Sequence, residues 1–416
     1  MSLTTSVTAL APFRVRSFRF QWPADLATAW AFEMEAIILG WYVLVETGSV
    51  LWLTAFGALT FLGTLLAPLF GIAGDRVGYR NLLCLMRLAY ALLAGVLMVL
   101  ILAGAVTPIL AFAVAMISGL VRPSDLVMRN LLVGQTMPAE QLMGAMGISR
   151  TTADSARVAG SLAGAGLVAA LGMGQAYVAV VALYLLSLVL TLGVSNTAVR
   201  PTIAGSLPIS PWRDIREGLA YVWNQPLLRA AMYIAFLVNL TTFPLTGTLL
   251  AYVAKNIYGI GQTGLGWLAA SFAFGALMGS IVLTTHGANI RPGRMVLICG
   301  ALWYALLAAF AFMTSPLAGC ALLMAAGFAQ SFCMVPMAVM LLRAAPPAFR
   351  GRVMGVRMLA VYGMPLGILA AGPLVARFDY AATASIFCGI GLIFLLVIAL
   401  RWRRHLWDMD AAGNSR

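Results

Sequence analysis

Long apolar runs, each bounded by short polar segments, fill almost the whole chain. An α-helix needs about 20 apolar residues to cross the hydrocarbon core of a bilayer, and the runs have this length. The pattern therefore predicts twelve membrane-spanning helices, near residues 23–45, 50–73, 81–103, 108–132, 145–171, 174–195, 230–253, 262–284, 293–314, 316–342, 352–376 and 380–400.

The spanning elements are expected to be helices, because lipid leaves only helices and closed barrels with a satisfied backbone. Barrel strands alternate apolar and polar residues over roughly ten residues. The runs in this chain show no such alternation. The sequence therefore predicts an all-α membrane protein.

The two halves of the chain are similar. Residues 138–147 (PAEQLMGAMG) correspond to residues 346–355 (PPAFRGRVMG), which follow half a chain length later. Between the halves lie several prolines and a short amphipathic stretch at 212–223, which is typical of a helix on the membrane surface. We predict an N-terminal six-helix bundle at 1–195, a cytoplasmic linker at 196–229 and a C-terminal six-helix bundle at 230–416.

The composition agrees with a membrane protein. Of the 416 residues, 62% are hydrophobic and 9% are charged, whereas a soluble domain carries about 25% charged residues. The net charge of +13 comes from short basic clusters between the apolar runs, which argues against a nucleic-acid surface. If the N-terminus is cytoplasmic, 24 of the 26 basic residues fall at cytoplasmic ends, all but Lys255 and Arg377. Both termini are therefore predicted to be cytoplasmic.

The sequence offers little for metal or covalent chemistry. The cysteines lie inside apolar runs without C-x-x-C spacing, and the two histidines are far apart, so we expect neither disulfides nor a metal site. These residues are Cys84, Cys299, Cys320, Cys333, Cys388, His286 and His405. Zinc-protease, nucleophile-elbow and phosphate-loop motifs are also missing from the sequence. We therefore expect no enzyme activity and no bound cofactor.

The segment GIAGDRVGYR at 71–80 resembles the signature of the major facilitator superfamily between helices two and three, with tyrosine where arginine is common. The resemblance implies two pseudo-symmetric six-helix bundles around a central cavity that opens alternately to each side. Four further segments resemble the bacterial branch that includes the enterobactin exporter, which implies the bacterial cytoplasmic membrane. They are ETGS at 46–49, ARVAG at 156–160, GLAYVW at 218–223 and RGRVMG at 350–355.

The signature and a basic pair near the start of helix eleven are candidates for a gate. By resemblance, the acidic residue of the signature contacts that pair and holds the two halves closed on the cytoplasmic side. The alternative is a loop anchor that only sets topology. The gating candidates are Gly71, Asp75, Arg76, Gly78, Arg80, Arg350 and Arg352.

Helix one contains three acidic residues, Asp25, Glu33 and Glu35. A charge at a helix centre costs roughly 2.5–3.5 kcal/mol, so it needs a partner, water or a function. Asp25, near the cytoplasmic end, is also a candidate for proton coupling or substrate binding, and simple solvation is the alternative for it. Glu33 and Glu35 are about 200° apart on the helix, so one is expected to face the cavity and the other a neighbouring helix. We predict that they couple transport to protons or bind a cationic substrate; the alternative is a structural ion pair.

Helices four and five add further charged residues within the membrane. Asp154 and Arg157 are three residues apart and are able to pair on one helical face. Arg122 resembles the helix-four arginine of proton antiporters, and Asp125 and Arg129 follow it. Both proton coupling and structural ion pairing are possible roles for these charged residues. The segment GSLAG at 160–164 carries Ser161 where the related antiporter motif has proline, and its spacing allows close helix packing.

By the same resemblance, helices one, four, seven and ten line the cavity. Asn239 and Gln330 are their polar residues in the second half, with Tyr233 and Phe236 beside Asn239. A mostly apolar cavity with a few polar anchors suits an amphipathic organic solute. Hydrogen bonding between helices is the alternative for each polar residue.

These observations predict a monomeric secondary transporter that exports a small organic molecule, drug-like or a siderophore, in exchange for protons. An importer or symporter with the same fold is the main alternative, because a fold does not fix direction. A transporter-like sensor is a third reading.

Overall fold

The computed structural model describes residues 11–195, 211–286, 291–346 and 349–408. Every regular element in these ranges is helical. After a short 3-10 turn at Ala11–Arg14, the first half contains seven helices. They are α1 (Arg16–Thr47), α2 (Val50–Leu59), α3 (Ala67–Val77), α4 (Tyr79–Leu102), α5 (Pro108–Thr136), α6 (Ala139–Leu171) and α7 (Met173–Leu192), with a 3-10 turn at Leu62–Leu66.

The second half begins with a helix that corresponds to the amphipathic stretch. Its helices are α8 (Pro211–Asn224), α9 (Pro226–Thr241), α10 (Phe243–Thr246), α11 (Leu250–Tyr252), α12 (Gln262–His286), α13 (Pro292–Ala311), α14 (Pro316–Ala344), α15 (Arg350–Leu359), α16 (Gly363–Phe378), α17 (Tyr380–Arg401) and α18 (Arg403–Asp408). A π-helical turn follows α11 at Val253–Ile257, and a 3-10 turn at Ala360–Tyr362 joins α15 to α16.

Nine helices in the described ranges are long and apolar enough to cross a membrane. Large apolar side chains cover the outside of the molecule, for example Ile109, Leu317 and Leu400. Such exposure is expected where hydrocarbon replaces water as the solvent. The remaining predicted spans contain shorter apolar helices or, at α6, a more polar sequence.

Three of the predicted spans are interrupted, and the one expected at 352–376 is divided by the 3-10 turn at Ala360–Tyr362. The span expected at 50–73 consists of α2, the 3-10 turn and α3, and the span expected at 230–253 consists of α9, α10, α11 and the π-helical turn. In the second case, Pro244 lacks the N–H that would continue the hydrogen-bond ladder, and Gly247 ends α10. The interruptions at 50–73 and 230–253, together with the more polar sequence of α6, explain why only nine long apolar helices occur in the described ranges.

Several helix starts follow directly from the sequence. Four helices begin at a proline, namely Pro108, Pro226, Pro292 and Pro316. At the first position of a helix the N–H group has no acceptor within the helix, so proline loses no hydrogen bond, and its φ is already helical. Asp379 begins α17 with φ 81° and accepts a hydrogen bond from the Ala382 N–H at 2.8 Å. A carboxylate cap of this kind compensates for the left-handed backbone.

The chain separates into two compact units, one of Met1–Leu39 with Leu59–Thr202 and one of Gly40–Ala58 with Ile203–Arg416. The second unit thus contains α8 as well as the end of α1 and most of α2. The predicted boundaries at 195 and 230 remain predictions.

Candidate functional site

A cluster of four charged side chains lies inside the first unit. Arg87 of α4 forms an ion pair with Asp25 of α1, and its side chain is 0% exposed. The Arg129 Nε lies 3.6 Å from the same carboxylate, and Arg129 also pairs with Asp125 one turn earlier on α5. Two carboxylates therefore meet two guanidinium groups, and the cluster is electrically balanced.

Neutral groups complete this cluster. Arg87 donates a hydrogen bond to the Thr191 hydroxyl of α7, and the Gln21 side chain donates to the Arg129 carbonyl at 3.0 Å. The Thr28 and Ser187 hydroxyls hydrogen-bond to each other in the same region. Helices α1, α4, α5 and α7 are thus joined through one polar network, as buried charges require.

This network corrects two expectations from the sequence. Asp25 is not simply solvated, because it lies against a fully buried arginine. Arg87 was counted among basic residues at a helix end, but it lies eight residues inside α4 and is buried. The lone arginine within an apolar run was the signal that could have identified it.

Glu35 lies ten residues after Asp25 on α1, about 15 Å further along the helix. It is 8% exposed. Its Oε2 accepts a hydrogen bond from the Tyr184 hydroxyl at 2.9 Å, and its Oε1 lies 3.5 Å from the Tyr177 hydroxyl. No arginine or lysine nitrogen in the described part of the chain lies within 4 Å of this carboxyl group.

Three aromatic rings pack together beside Glu35. The Phe32 ring centroid lies 5.0 Å from that of Tyr90 and 5.7 Å from that of Tyr184, and the two tyrosines are 5.6 Å apart. The Arg122 guanidinium lies 4.3 Å from the Phe32 centroid and attracts Glu35 electrostatically. A cation on an aromatic face at this distance is a favourable contact.

The tyrosines were not among the residues singled out from the sequence. Tyr177, Tyr184 and Thr191 are spaced by seven residues and therefore share a face of α7. This repeat of polar groups within an apolar run was the signal available in the sequence.

The other acidic candidates, Glu33 and Asp154, lie on α1 and α6. Glu33 is half-buried, and a Cβ added to Gly160 of α6 would lie 2.7 Å from its Cβ. A Cβ on Gly164 would come as close to the α1 backbone, so the predicted tight packing at 160–164 is confirmed. Asp154 is buried and Arg157 is half-buried on the same helix.

The gating candidates are described only in part. The side chains of Asp75 and Arg350, and the packing of Gly71, lie outside what the structure describes. Gly78 has φ 91° and separates α3 from α4. Arg80 donates hydrogen bonds to the carbonyls that end α7, while Arg76 is exposed. Arg352 forms an ion pair with Glu217 of α8 at 3.2 Å.

Among the described residues of the second unit, Asn239 and Gln330 are not joined in a cluster like that around Asp25. Asn239 is buried and donates to the Ala235 carbonyl of its own helix at 2.8 Å, and Gln330 is buried on α14. Phe236 is partly exposed, and the Tyr233 ring contacts those of Trp223 and Trp402.

Comparisons with known proteins identify the fold. Residues 232–411 match the sequence model of the Major Facilitator Superfamily. Two structures of the nucleoside transporter NupG align with 92% of this chain and 98–99% of theirs, at 15–16% identity and TM-scores of 0.70 and 0.67. The human organic anion transporter MFSD10 gives a TM-score of 0.66 at 16% identity, over 93% of this chain and 99% of its own.

A D-xylose–proton symporter gives a TM-score of 0.68 at 15% identity, over 92% of this chain and 97% of its own. No curated protein matches the chain by sequence. The protein therefore has the all-helical, multi-pass membrane fold of major facilitator transporters.

Proposed function

We propose that the whole chain belongs to the Major Facilitator Superfamily and that it is a secondary active transporter of a small organic molecule. The family match in the second half and the fold shared with transporters over more than nine-tenths of the chain support this proposal. The same comparisons favour transport over enzymatic catalysis. Alternating access between the two halves follows from membership of the family.

Proton coupling is proposed at Glu35, and the environment of its carboxyl group is the observation that carries the proposal. A tyrosine hydroxyl is able to donate to a carboxylate and to accept from a carboxylic acid. Tyr184 and Tyr177 are therefore able to satisfy Glu35 in both protonation states. Because no cation in the described residues lies within ion-pair distance and Arg122 attracts Glu35 only from further away, protonation of Glu35 should cost less than protonation within a buried ion pair.

Asp25 is less suited to this role. Its carboxylate is paired with Arg87, and protonation would remove the partner of a fully buried guanidinium. Breaking a buried pair in this way costs about 3–5 kcal/mol. We therefore assign Asp25, Arg87, Arg129 and Asp125 a structural role within the first unit.

The remaining candidates keep the roles that their residue types suggest. Glu33, Arg122, Asp154 and Arg157 are proposed to tune coupling or bind substrate. Asn239, Gln330, Tyr233 and Phe236 are proposed to line the substrate path. The signature residues and the basic pair at the start of α15 are proposed to form the cytoplasmic gate.

The proposed direction is export of a drug-like compound or siderophore, based on the motifs that resemble bacterial exporters. The proposed setting is a bacterial cytoplasmic membrane, with a monomer whose termini are both cytoplasmic. Import is the second candidate, and it is favoured by the fold shared with a D-xylose–proton symporter and a nucleoside transporter.

The test uses the full chain in proteoliposomes that contain a trapped pH indicator. Ethidium, uridine and D-xylose are added in turn with and without an imposed pH gradient. We expect one of them to move with protons in the wild type, and Glu35→Gln to abolish the gradient dependence. Glu46→Gln, the same change at an exposed position near the end of α1, is the control. Full gradient-driven transport by both Glu35→Gln and Glu33→Gln would refute proton coupling at helix one.

A further inference from the structure

A row of aromatic rings with two arginines lies where α8, α9 and α17 meet in the second unit. The Trp223 and Tyr233 ring centroids are 6.0 Å apart, and those of Tyr233 and Trp402 are 5.8 Å apart. The guanidinium groups of Arg229 and Arg401 lie 5.6 Å and 5.7 Å from the Trp402 centroid. We call these five residues the Trp402 cluster.

The cluster lies at the end of a helix that is long and apolar enough to cross the membrane. Helix α17 ends at Arg401, and Trp402 is its C-terminal cap. Tryptophan and tyrosine concentrate at the membrane–water interface, because their rings are apolar and their N–H or O–H groups are polar. The cluster is therefore at the level of the lipid headgroups.

An apolar stripe leads along α17 to the cluster. Ile393, Val397 and Leu400 are 62%, 52% and 67% exposed. With Arg401 they occupy positions i, i+4, i+7 and i+8, which share one face of a helix. Exposed apolar residues on a spanning helix contact acyl chains, so this stripe places a lipid tail directly below Arg401.

The charge of the cluster is complementary to a phosphate. Arg229 and Arg401 are positive, and exposed Arg403 and Arg404 follow in the next turn. A guanidinium that stacks on an aromatic ring keeps its N–H edge free for bidentate contact with phosphate oxygens. Basic pockets between spanning helices bind anionic lipid headgroups in this way.

We propose that the Trp402 cluster binds the headgroup of an anionic phospholipid, with one acyl chain along Ile393, Val397 and Leu400. Arg401 and Arg229 hold the phosphate, and the Trp402 ring fixes both guanidinium groups. The proposal does not depend on transport activity or on which side of the membrane the cluster lies.

The test measures lipid retained by the purified full chain. The protein is placed in nanodiscs with equal amounts of phosphatidylglycerol and phosphatidylcholine, and bound lipid is counted by native mass spectrometry. We expect Arg401→Gln and Arg229→Gln each to weaken phosphatidylglycerol binding about fivefold, the share of one arginine at a membrane surface. Phosphatidylcholine binding should not change.

Arg377→Gln is the matched control. Arg377 stacks on Phe378 at 5.3 Å and lies just before α17, at the opposite end of that helix from Arg401. If Arg401→Gln and Arg229→Gln retain as much phosphatidylglycerol as Arg377→Gln, the assignment is wrong. Glycerol 3-phosphate is added as a soluble competitor. If this phosphoester displaces the bound phosphatidylglycerol as effectively as added phosphatidylglycerol does, the lipid assignment is wrong. Because Arg401 is exposed, its substitution should leave folding intact even if that of Arg229 does not.

Discussion

Two acidic residues on α1 have contrasting environments. Asp25 lies against two arginines, whereas Glu35 accepts hydrogen bonds from two tyrosine hydroxyls. The sequence shows that burying either carboxylate within an apolar run would cost free energy. It does not reveal their partners, because those lie 62 to 149 residues away in the chain. Partner identity depends on how α4 and α7 are rotated about their axes.

The Glu35 environment predicts a difference between two otherwise equal substitutions. Tyr184→Phe removes a hydroxyl 2.9 Å from the carboxyl group, whereas Tyr177→Phe removes one at 3.5 Å, the limit of a hydrogen bond. A buried hydrogen bond to an ionisable group contributes about 1–3 kcal/mol, so Tyr184→Phe should lower the unfolding free energy by that amount. Tyr177→Phe should lower the unfolding free energy by clearly less.

Unfolding of both variants is followed by denaturant titration in mixed micelles, with Glu35→Gln as the background for a double-mutant cycle. If the tyrosine acts through Glu35, the cost of Tyr184→Phe should shrink in the Glu35→Gln background. Equal costs for the two tyrosines, or no coupling to Glu35, would contradict the assigned hydrogen bond.

At the scale of helices, sequence patterns predict where spans occur better than where they break. The apolar runs at 81–103, 262–284 and 380–400 correspond closely to single helices α4, α12 and α17. The break between α2 and α3 was not predicted, because it depends on tertiary contact. There, a Cβ on Gly63 would collide with the Leu120 carbonyl of α5.

The contact between α12 and α14 is a second close crossing that depends on glycine. A Cβ on Gly327 would collide with the Phe272 carbonyl and lie 2.9 Å from the Ala276 nitrogen. Since backbone atoms cannot rotate away, Gly327→Ala should separate the helices and lower stability by about 1–3 kcal/mol.

Gly389 of α17 provides the matched control. Nothing lies within 4 Å of the position that its Cβ would occupy. Gly389→Ala should therefore be neutral or stabilising by up to about 1 kcal/mol, since alanine has the higher helix propensity. The measurement is the same micelle titration, and equal effects at the two glycines would show that α12 and α14 do not approach as described.

At the scale of the whole molecule, hydropathy and the internal similarity of the two halves were sufficient to predict the all-helical membrane fold. The reason is that lipid restricts the backbone far more than water does. The site was less predictable, because charged residues within apolar runs serve both packing and function. Arg87 illustrates this limit, since the apolar run around it indicates a helix but does not show that its side chain is completely buried against Asp25.

Burial of Arg87 also bears on the orientation of the chain. The predicted orientation uses basic residues at helix ends, and a buried, paired arginine carries no information about topology. The remaining exposed residues still favour one side, including Arg76, Arg343, Arg403 and Arg404. We therefore expect the end of α17 to face the cytoplasm and the turn before α12 to face outward.

Single cysteines test this orientation in a background without the five native cysteines. Gly261→Cys lies in that exposed turn with open space around its Cβ, and Arg403→Cys lies just after α17. A membrane-impermeant maleimide should label Gly261→Cys in intact cells, but Arg403→Cys only after the membrane is opened. Labelling of Arg403→Cys alone in intact cells would reverse the orientation, whereas labelling of both would mean an even number of crossings between them. Since five predicted spans separate the two positions, that last result would require one of them to lie outside the bilayer.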